Sequence, residues 1–283
     1  MSSLSIVIPA KNEAGAIGTV VAGAKEACPD AEIIVVDDGS EDDTAAVAKA
    51  AGAKVVRHPE SLGNGAAVKA GARAATGDII AFMDGDGQHD AAEFAPLLGK
   101  LDDGYDMVIG ARDSGSHANF GRLYANGIYN VVASWLTGRR IPDLTSGFRV
   151  VRRALFKQFL YLLPNGFSYP TTITMAFLRA GYPITFETIP VDKRIGKSHI
   201  RPIRDGLRFM VIIFKIATLY SPLKIFLPIS AGFFATGLGW YAYTFSTMGR
   251  FTNMSMLLFS ASVIVFLIGL ISEQITALTY SKS

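Results

Sequence analysis

From Leu4 to about residue 111 the chain alternates short, β-branched apolar runs with segments of helical periodicity. SIVIPA, EIIVVDD, KVVRH, DIIAFMD and MVIGA read as strands, and helices are expected from about Ala14, Asp42 and Gly65. This alternation predicts an α/β fold, a mostly parallel sheet covered by helices. Further on, a helical stretch is expected over Asn119–Arg140, IPDLTSGFR follows it as a tight turn, and Tyr169–Ala180 reads as a helix before the strand-like PITFETIPV.

The pattern then changes. Ile225 to Gly249 and Phe251 to Ser272 carry no charge. Each is long enough to cross a hydrocarbon core of about 30 Å, which takes about 20 apolar residues as a helix. Two membrane helices joined near Arg250 are predicted, the alternative being a buried hairpin in a soluble core. A mean hydropathy of +0.32, with half the residues apolar, favours the membrane. Between Arg201 and Tyr220, Arg201, Arg204, Arg208 and Lys215 recur among apolar residues at roughly helical spacing, as in an amphipathic helix lying in the bilayer interface. The expected domains are therefore 1–200, 201–220 and 221–283.

The net charge of +3 is mild, but basic residues concentrate between Lys193 and Lys224, just before the first apolar run. Basic flanks favour the cytoplasmic side and anionic headgroups. The N-terminal apolar run lacks a basic leader and does not resemble a secretion signal, so a cytoplasmic first domain is expected. Cys28 is the only cysteine, which excludes an internal disulfide and a thiolate zinc cage.

In open α/β sheets, ligands bind beyond the carboxyl ends of the strands. Asp37 and Asp38 follow one strand, Asp84 and Asp86 a second, and Arg112 a third. Asp84 and Asp86, two apart in extended chain, can point the same way, with Gly85 between them allowing close approach. Hard oxygen donors suit Mg2+ or Mn2+, which keep positions open for substrate phosphates, so a diphosphate is the natural partner. Gln88 could hold a phosphate or a metal-bound water, and His89 reads as a supporting residue more readily than as a ligand. The segment GNGAAVKAG tempts a dinucleotide reading, but Val68 stands where the third glycine is required.

SIVIPAKNE, IIVVDDGSEDDT, the glycine-rich segment 63–71, TGDIIAFMDGDGQHD and DLTSGFR, in this order, resemble family 2 glycosyltransferases of the GT-A fold. With the apolar C-terminal runs, the likeness is to dolichol-phosphate mannose synthases and polyprenyl-phosphate hexosyltransferases. The resemblance implies a GT-A catalytic domain with a two-helix transmembrane hairpin, and inverting transfer of a hexose from a UDP- or GDP-sugar to polyprenyl phosphate. It implies Mg2+ or Mn2+ on Asp84 and Asp86, with Gln88 close by, and a donor site lined by Pro9, Glu13 and Asp38. Lys193, Arg194 and Lys197 match a basic loop that closes over the donor phosphates, with His199 in place of a lysine common there. Lys11 stands where relatives often carry an aromatic.

For the acceptor, the resemblance implies Arg112, Arg122 and Ser146 on the lipid phosphate, with Asp143 orienting it. A lipid phosphate is already anionic near neutral pH and attacks without a strong base. The alternatives are an alcohol acceptor, which would make Asp143 an indispensable base, and a non-catalytic membrane scaffold of the same fold. Asp38 is also readable as a turn or helix-cap residue, a role compatible with lining the donor site, and Asp143 nearly as well as a structural turn aspartate. The expected partners are a nucleotide sugar, a polyprenyl phosphate lipid and the membrane, with no nucleic acid. Gly232, Ala235 and Gly239 fit self-association of the membrane helices. The expected location is the cell membrane, multi-pass, with the catalytic domain cytoplasmic. Glu273, at the end of the second span, reads either as an interfacial charge or as a helix contact.

Overall fold

A computed structural model describes residues 2–112, 120–166, 168–190, 214, 218 and 220–280. Its centre is a seven-stranded sheet of order β3-β2-β1-β4-β6-β5-β7. The strands are β1 (Leu4–Ala10), β2 (Glu32–Asp37), β3 (Lys54–Arg57), β4 (Ile79–Phe82), β5 (Met107–Arg112), β6 (Arg149–Arg152) and β7 (Ile184–Ile189). Most pairs are parallel, and β6 alone runs antiparallel, wedged between β4 and β5.

The sheet is covered on both faces, so its strands are apolar at nearly every position. Successive side chains point to opposite sides: Ile6 and Ile8 enter one core with Val35 and Ala81, whereas Val7 enters the other with Ile34, Ile80 and Phe82. Helices α1 (Ile17–Ala27), α2 (Thr44–Ala50) and α4 (Phe94–Asp102) contribute to the first core. Helices α3 (Asn64–Ala74), α6 (Arg153–Gln158) and α7 (Tyr169–Ala180) contribute to the second. A third cluster joins α5 (Phe120–Thr137) to Ile141, Leu144 and Met175.

The glycine-rich segment is a packing device. Gly63 has φ +101°, and a Cβ on Gly65 would lie 2.0 Å from the Pro164 carbonyl oxygen. A Cβ on Gly71 would lie 2.2 Å from Val7 Cγ1, so α3 can sit this close to β1 only without a side chain there.

Two long apolar helices follow, α8 (Leu223–Met248) and α9 (Asn253–Tyr280). At 1.5 Å per residue each is about 40 Å long, enough to cross a bilayer. Only 11% and 17% of their most apolar windows are buried, whereas the helices of a core hairpin would be mostly buried. Gly249, at φ +64°, ends α8 in a left-handed cap. The two helices are joined by reciprocal bonds, each of Ser230 and Ser262 donating from Oγ to the other's carbonyl at 2.9 Å. Gly237 faces Leu258 and Phe259 and Gly269 faces Phe226 and Leu223, whereas among the described residues nothing lies within 4 Å of a Cβ built on Gly232 or Gly239.

The structure departs from the sequence reading in two places near the site. Arg149, expected in a tight turn, opens β6 and is fully buried. A four-residue strand between turn residues leaves too short a pattern to be read as one. The chain is also not extended through Asp86: β4 ends at Phe82, residues 85–86 turn, and Gly87 adopts φ +71°. Most of the expected 201–220 amphipathic helix lies outside the described residues.

Candidate active site

The carboxyl ends of β1, β2, β4 and β5 deliver the polar groups to one edge of the sheet. The loops after β1 and β2 are bonded to each other: Asn12 N donates to Ser40 Oγ, Glu13 N to Thr44 Oγ1, and Glu41 N to Asn12 Oδ1, each at 2.9 Å. Asn12 accepts a φ of +55° to do so. Pro9 is in register with Val36 and lies against the acidic turn, where a Cβ on Gly85 would be 3.2 Å from the Pro9 carbonyl oxygen. The close approach that Gly85 allows is therefore to β1.

Asp38 faces the loop from His58 to Gly63. Its carboxylate accepts from His58 Nδ1 and Ser61 Oγ at 2.8 Å and from the backbone N–H groups of Leu62 and Gly63 at 2.9 Å. Burial pushes this carboxyl up, the four hydrogen bonds outweigh it, and the net shift is downward. Asp38 thus anchors the loop that leads into α3.

Asp84 and Asp86 are both half-buried beyond β4. Asp86 Oδ1 accepts from the Gln88 backbone N–H at 3.2 Å, closing the turn. Behind them, a Cβ on Gly147 would sit 3.4 Å from both Asp84 Oδ2 and the Tyr169 hydroxyl, so a glycine here leaves room for the carboxylate. Tyr169 Oη donates to the Gly147 carbonyl at 3.3 Å, and burial holds this phenol well above its usual range.

Arg112 ends β5 and is gripped by Asp143. Its Nε donates to Oδ2 at 2.7 Å and a terminal nitrogen donates to Oδ1 at 3.0 Å, a two-point contact matched to the planar guanidinium. Thr145 Oγ1 accepts a third bond at 2.6 Å, and Thr145 N donates to Asp143 Oδ1 at 3.0 Å. Burial pushes the Asp143 carboxyl up, but the Arg112 bonds and charge win and hold it below the usual range. Burial lowers Arg112, yet Asp143, and then the charge of Asp84, raise it on balance.

Arg149 lies beneath. Its guanidinium donates to the Pro170 carbonyl and Thr174 Oγ1, both at 3.2 Å, and to the Ser146 carbonyl, and it stands 5.8 Å from the Tyr169 ring centre. Burial lowers its pKa against the opposing fields of Tyr169, Asp143 and Asp84. His89 stacks on Phe148 at 5.0 Å, and Phe148 on Phe94 at 4.3 Å. Burial lowers the His89 imidazole, while Asp86 and Asp143 pull it up and Arg112 pushes it down.

The structure therefore brings Asp84, Asp86, Arg112 and Asp143 into one electrostatic neighbourhood, with Pro9 against Gly85 and Glu13 in the adjoining loop. Ser146 is buried, and its hydroxyl has no hydrogen-bond partner among the described residues. The side chain of Arg122, the basic residues Lys193, Arg194 and Lys197, and His199 lie outside the described residues. Thr145, Gly147, Arg149 and Tyr169 join the site without having been assigned a role. DLTSGFR held a signal for the first three, whereas nothing local marks Tyr169.

Among the described residues no group of three or more His, Cys, Asp or Glu side chains forms a closed metal cage. Two half-exposed carboxylates in an open turn suit Mg2+ or Mn2+, which commonly take one or two carboxylates and complete their shell with substrate phosphates. Within the field of Asp84 stands the Arg112 guanidinium, a cation fixed by Asp143 and Thr145.

Comparison with known proteins gives the family and the fold. Residues 5–160 match the family described as glycosyl transferase family 2, and residues 221–278 match the GtrB C-terminal hairpin. A dolichyl-phosphate hexose transferase of Haloferax volcanii is 30% identical over 215 residues, covering 75% of this chain and 93% of that protein. A polyprenol monophosphomannose synthase of Mycolicibacterium smegmatis is 29% identical over 232 residues, 75% of this chain and 84% of that one. The crystal structure of glucosyl-3-phosphoglycerate synthase from Mycobacterium tuberculosis with Mn2+ and UDP-glucose superposes with a TM-score of 0.59 at 26% identity, covering 76% of this chain and 78% of the other. The fold is GT-A, as expected from the resemblance.

Proposed function

This chain is a member of glycosyl transferase family 2 and hence a glycosyltransferase, and from that premise we propose that it transfers a hexose, with inversion, from a nucleotide diphosphate sugar to polyprenyl phosphate. The transfer takes place at the cytoplasmic face of the membrane that the hairpin enters. The observation that carries this reading is the Arg112–Asp143 pair, which holds a cation within the field of Asp84. Two anion-holding places side by side fit a donor diphosphate on one and an acceptor phosphate on the other.

Asp84 and Asp86, with Gln88, would hold Mg2+ or Mn2+. Such an ion offsets the charge that develops on the departing nucleotide diphosphate. Pro9, Glu13 and the loops stitched by Asn12 and Ser40 form the floor on which the nucleotide rests. Arg112 binds the acceptor phosphate, and Asp143 and Thr145 fix the plane of its guanidinium. Ser146 and Arg122 belong to the same acceptor side, and Lys193, Arg194 and Lys197 to the donor phosphates. A phosphate oxygen of the acceptor attacks the anomeric carbon in line, the bond to the diphosphate oxygen breaks, and the nucleotide diphosphate leaves with that electron pair. No proton has to move. An alcohol acceptor would need a base, and Asp143 is a poor one: it is tied at two points to Arg112 and its pKa is lowered.

Purified protein given labelled UDP- and GDP-sugars with polyprenyl phosphate should form one labelled lipid, identified by mass spectrometry. Chelation of divalent ions should stop it. Asp84→Asn or Asp86→Asn should lower turnover by roughly a hundredfold or more, the scale of losing a main electrostatic contributor. Full turnover in chelator would remove the metal from the mechanism, and labelling only of alcohol acceptors would remove the acceptor assignment.

A further inference from the structure

Helix α9 carries one charge, Glu273, in an otherwise uncharged sequence. A lone carboxylate on a membrane helix is costly unless it is partnered. Its partners come from two other elements. Oε1 accepts from Arg179 of α7 at 2.9 Å, while Oε2 accepts from Ser221 Oγ at 3.3 Å and from the Leu223 backbone N–H at 3.2 Å. Leu223 opens α8, so the carboxylate also sits at the positive end of that helix and takes up one of its free N–H groups. Arg179 in turn lies 6.0 Å from the centre of the Tyr220 ring. One side chain thus ties the first span, the second span and the catalytic domain at a single point.

The opposite end of α7 reaches the active site. Tyr169 donates to Gly147, and Pro170 and Thr174 hold Arg149, which binds the Ser146 carbonyl. The segment carrying Asp143, and through it the Arg112 guanidinium, rests on the first turns of the helix whose last turn carries Arg179. A 12-residue helix is about 18 Å long and moves as a rod. Leu144 and Met175 pack in the cluster that also contacts Tyr220 and Ile225 at the base of the hairpin.

We propose that Glu273 is a positioning residue: by clamping Arg179 it fixes the depth and tilt of the catalytic domain over the bilayer, and so sets the height at which Arg112 meets a phosphate carried by a membrane lipid. The proposal rests on the acceptor reading above for its kinetic consequence, whereas its geometric consequence is independent. Other ties remain when the clamp is lost, since Lys224 Nζ donates to the Leu136 carbonyl at 2.8 Å, Thr276 Oγ1 to that of Thr218 at 2.8 Å and Tyr161 Oη to that of Thr279 at 2.9 Å. Glu273→Gln should therefore remain folded but sit differently.

The chain has two tryptophans, so Trp240→Phe leaves Trp135, which is 55% exposed on α5 beside the Lys224 contact, as the reporter. In nanodiscs of lipids brominated at successive acyl positions, Glu273→Gln and Arg179→Gln should each shift the quenching profile of Trp135. The double variant should shift it no further than either single one, as for two residues acting as a unit. In assays on the same nanodiscs, KM for long-chain polyprenyl phosphate should rise roughly tenfold, with the donor KM and turnover of a short, water-soluble prenyl phosphate unchanged. An unchanged quenching profile in both single variants overturns the clamp. A shifted profile in a protein that fails to glycosylate polyprenyl phosphate supports the clamp and overturns the acceptor reading instead.

Discussion

At the scale of single residues, Asp143 accepts two of the three hydrogen bonds of the Arg112 guanidinium, and this decides what its replacement does. Asp143→Asn keeps the size but loses the charge and one of the two acceptor oxygens, leaving the guanidinium held by Thr145 and a single remaining bond; kcat/KM for polyprenyl phosphate should fall roughly tenfold, mainly through KM for the acceptor, with the shape of the pH–rate profile retained. A loss of thousandfold or more, with the wild type's acid limb abolished, would identify Asp143 as a base. A second carboxylate tests the sheet. Burial pushes Glu32 up, but the Thr76 backbone N–H, the Ser5 and Thr76 hydroxyls and Lys54 bind its charged form and hold it at about 2, against an ordinary 4.5. A lowered pKa in the folded state means a contribution that is complete above about 4.5 and lost as the pH falls toward 2. Denaturant titrations between pH 7 and pH 3 should show an acid limb for the wild type that is flattened in Glu32→Gln.

At the scale of elements, glycines decide how closely helices approach their neighbours. In the hairpin, a Cβ on Gly269 would lie 2.6 Å from Phe226 Cβ, a contact that neither helix can relieve by turning a side chain. Gly269→Leu should therefore push α9 off α8 and cost about 1–3 kcal/mol, read as a lower unfolding temperature in detergent. Gly232→Leu, at an open position, should leave it unchanged. The same logic accounts for GNGAAVKAG, whose glycines clear Pro164 and Val7. From the sequence it could be said only that this was no dinucleotide loop. What the glycines were for depended on residues far along the chain.

At the scale of the whole molecule, a water-facing catalytic domain is joined to a hairpin whose outer surface is apolar from Leu227 to Leu278. Anchoring of this kind depends on hydrocarbon burial and is insensitive to ionic strength, whereas attraction of basic residues to headgroups is screened within about 10 Å in 0.1 M salt. Membranes from expressing cells washed with 1 M salt or carbonate should therefore retain the protein, and detergent should release it. Both ends of the hairpin contact the catalytic domain, through Lys224 and through Glu273 and Thr279, so residues 249–252 lie at the far end of the two helices.

The sequence alone determined what periodicity and run length encode: the α/β alternation, the two apolar helices, and the delivery of Asp84, Asp86 and Arg112 by strand ends to one edge. These are local signals, because a strand buried on both faces and a helix facing lipid each impose their pattern on every residue they contain. Tertiary structure alone decided which polar groups are occupied with one another. That Asp38 holds the His58–Gly63 loop, that Asp143 holds Arg112, that Arg149 in β6 reaches Pro170 and Thr174 and that Glu273 reaches Arg179 are all pairings between residues distant in the chain. A charged side chain looks the same in sequence whether water or a buried partner receives it, and only the folded arrangement of strands and helices chooses between them.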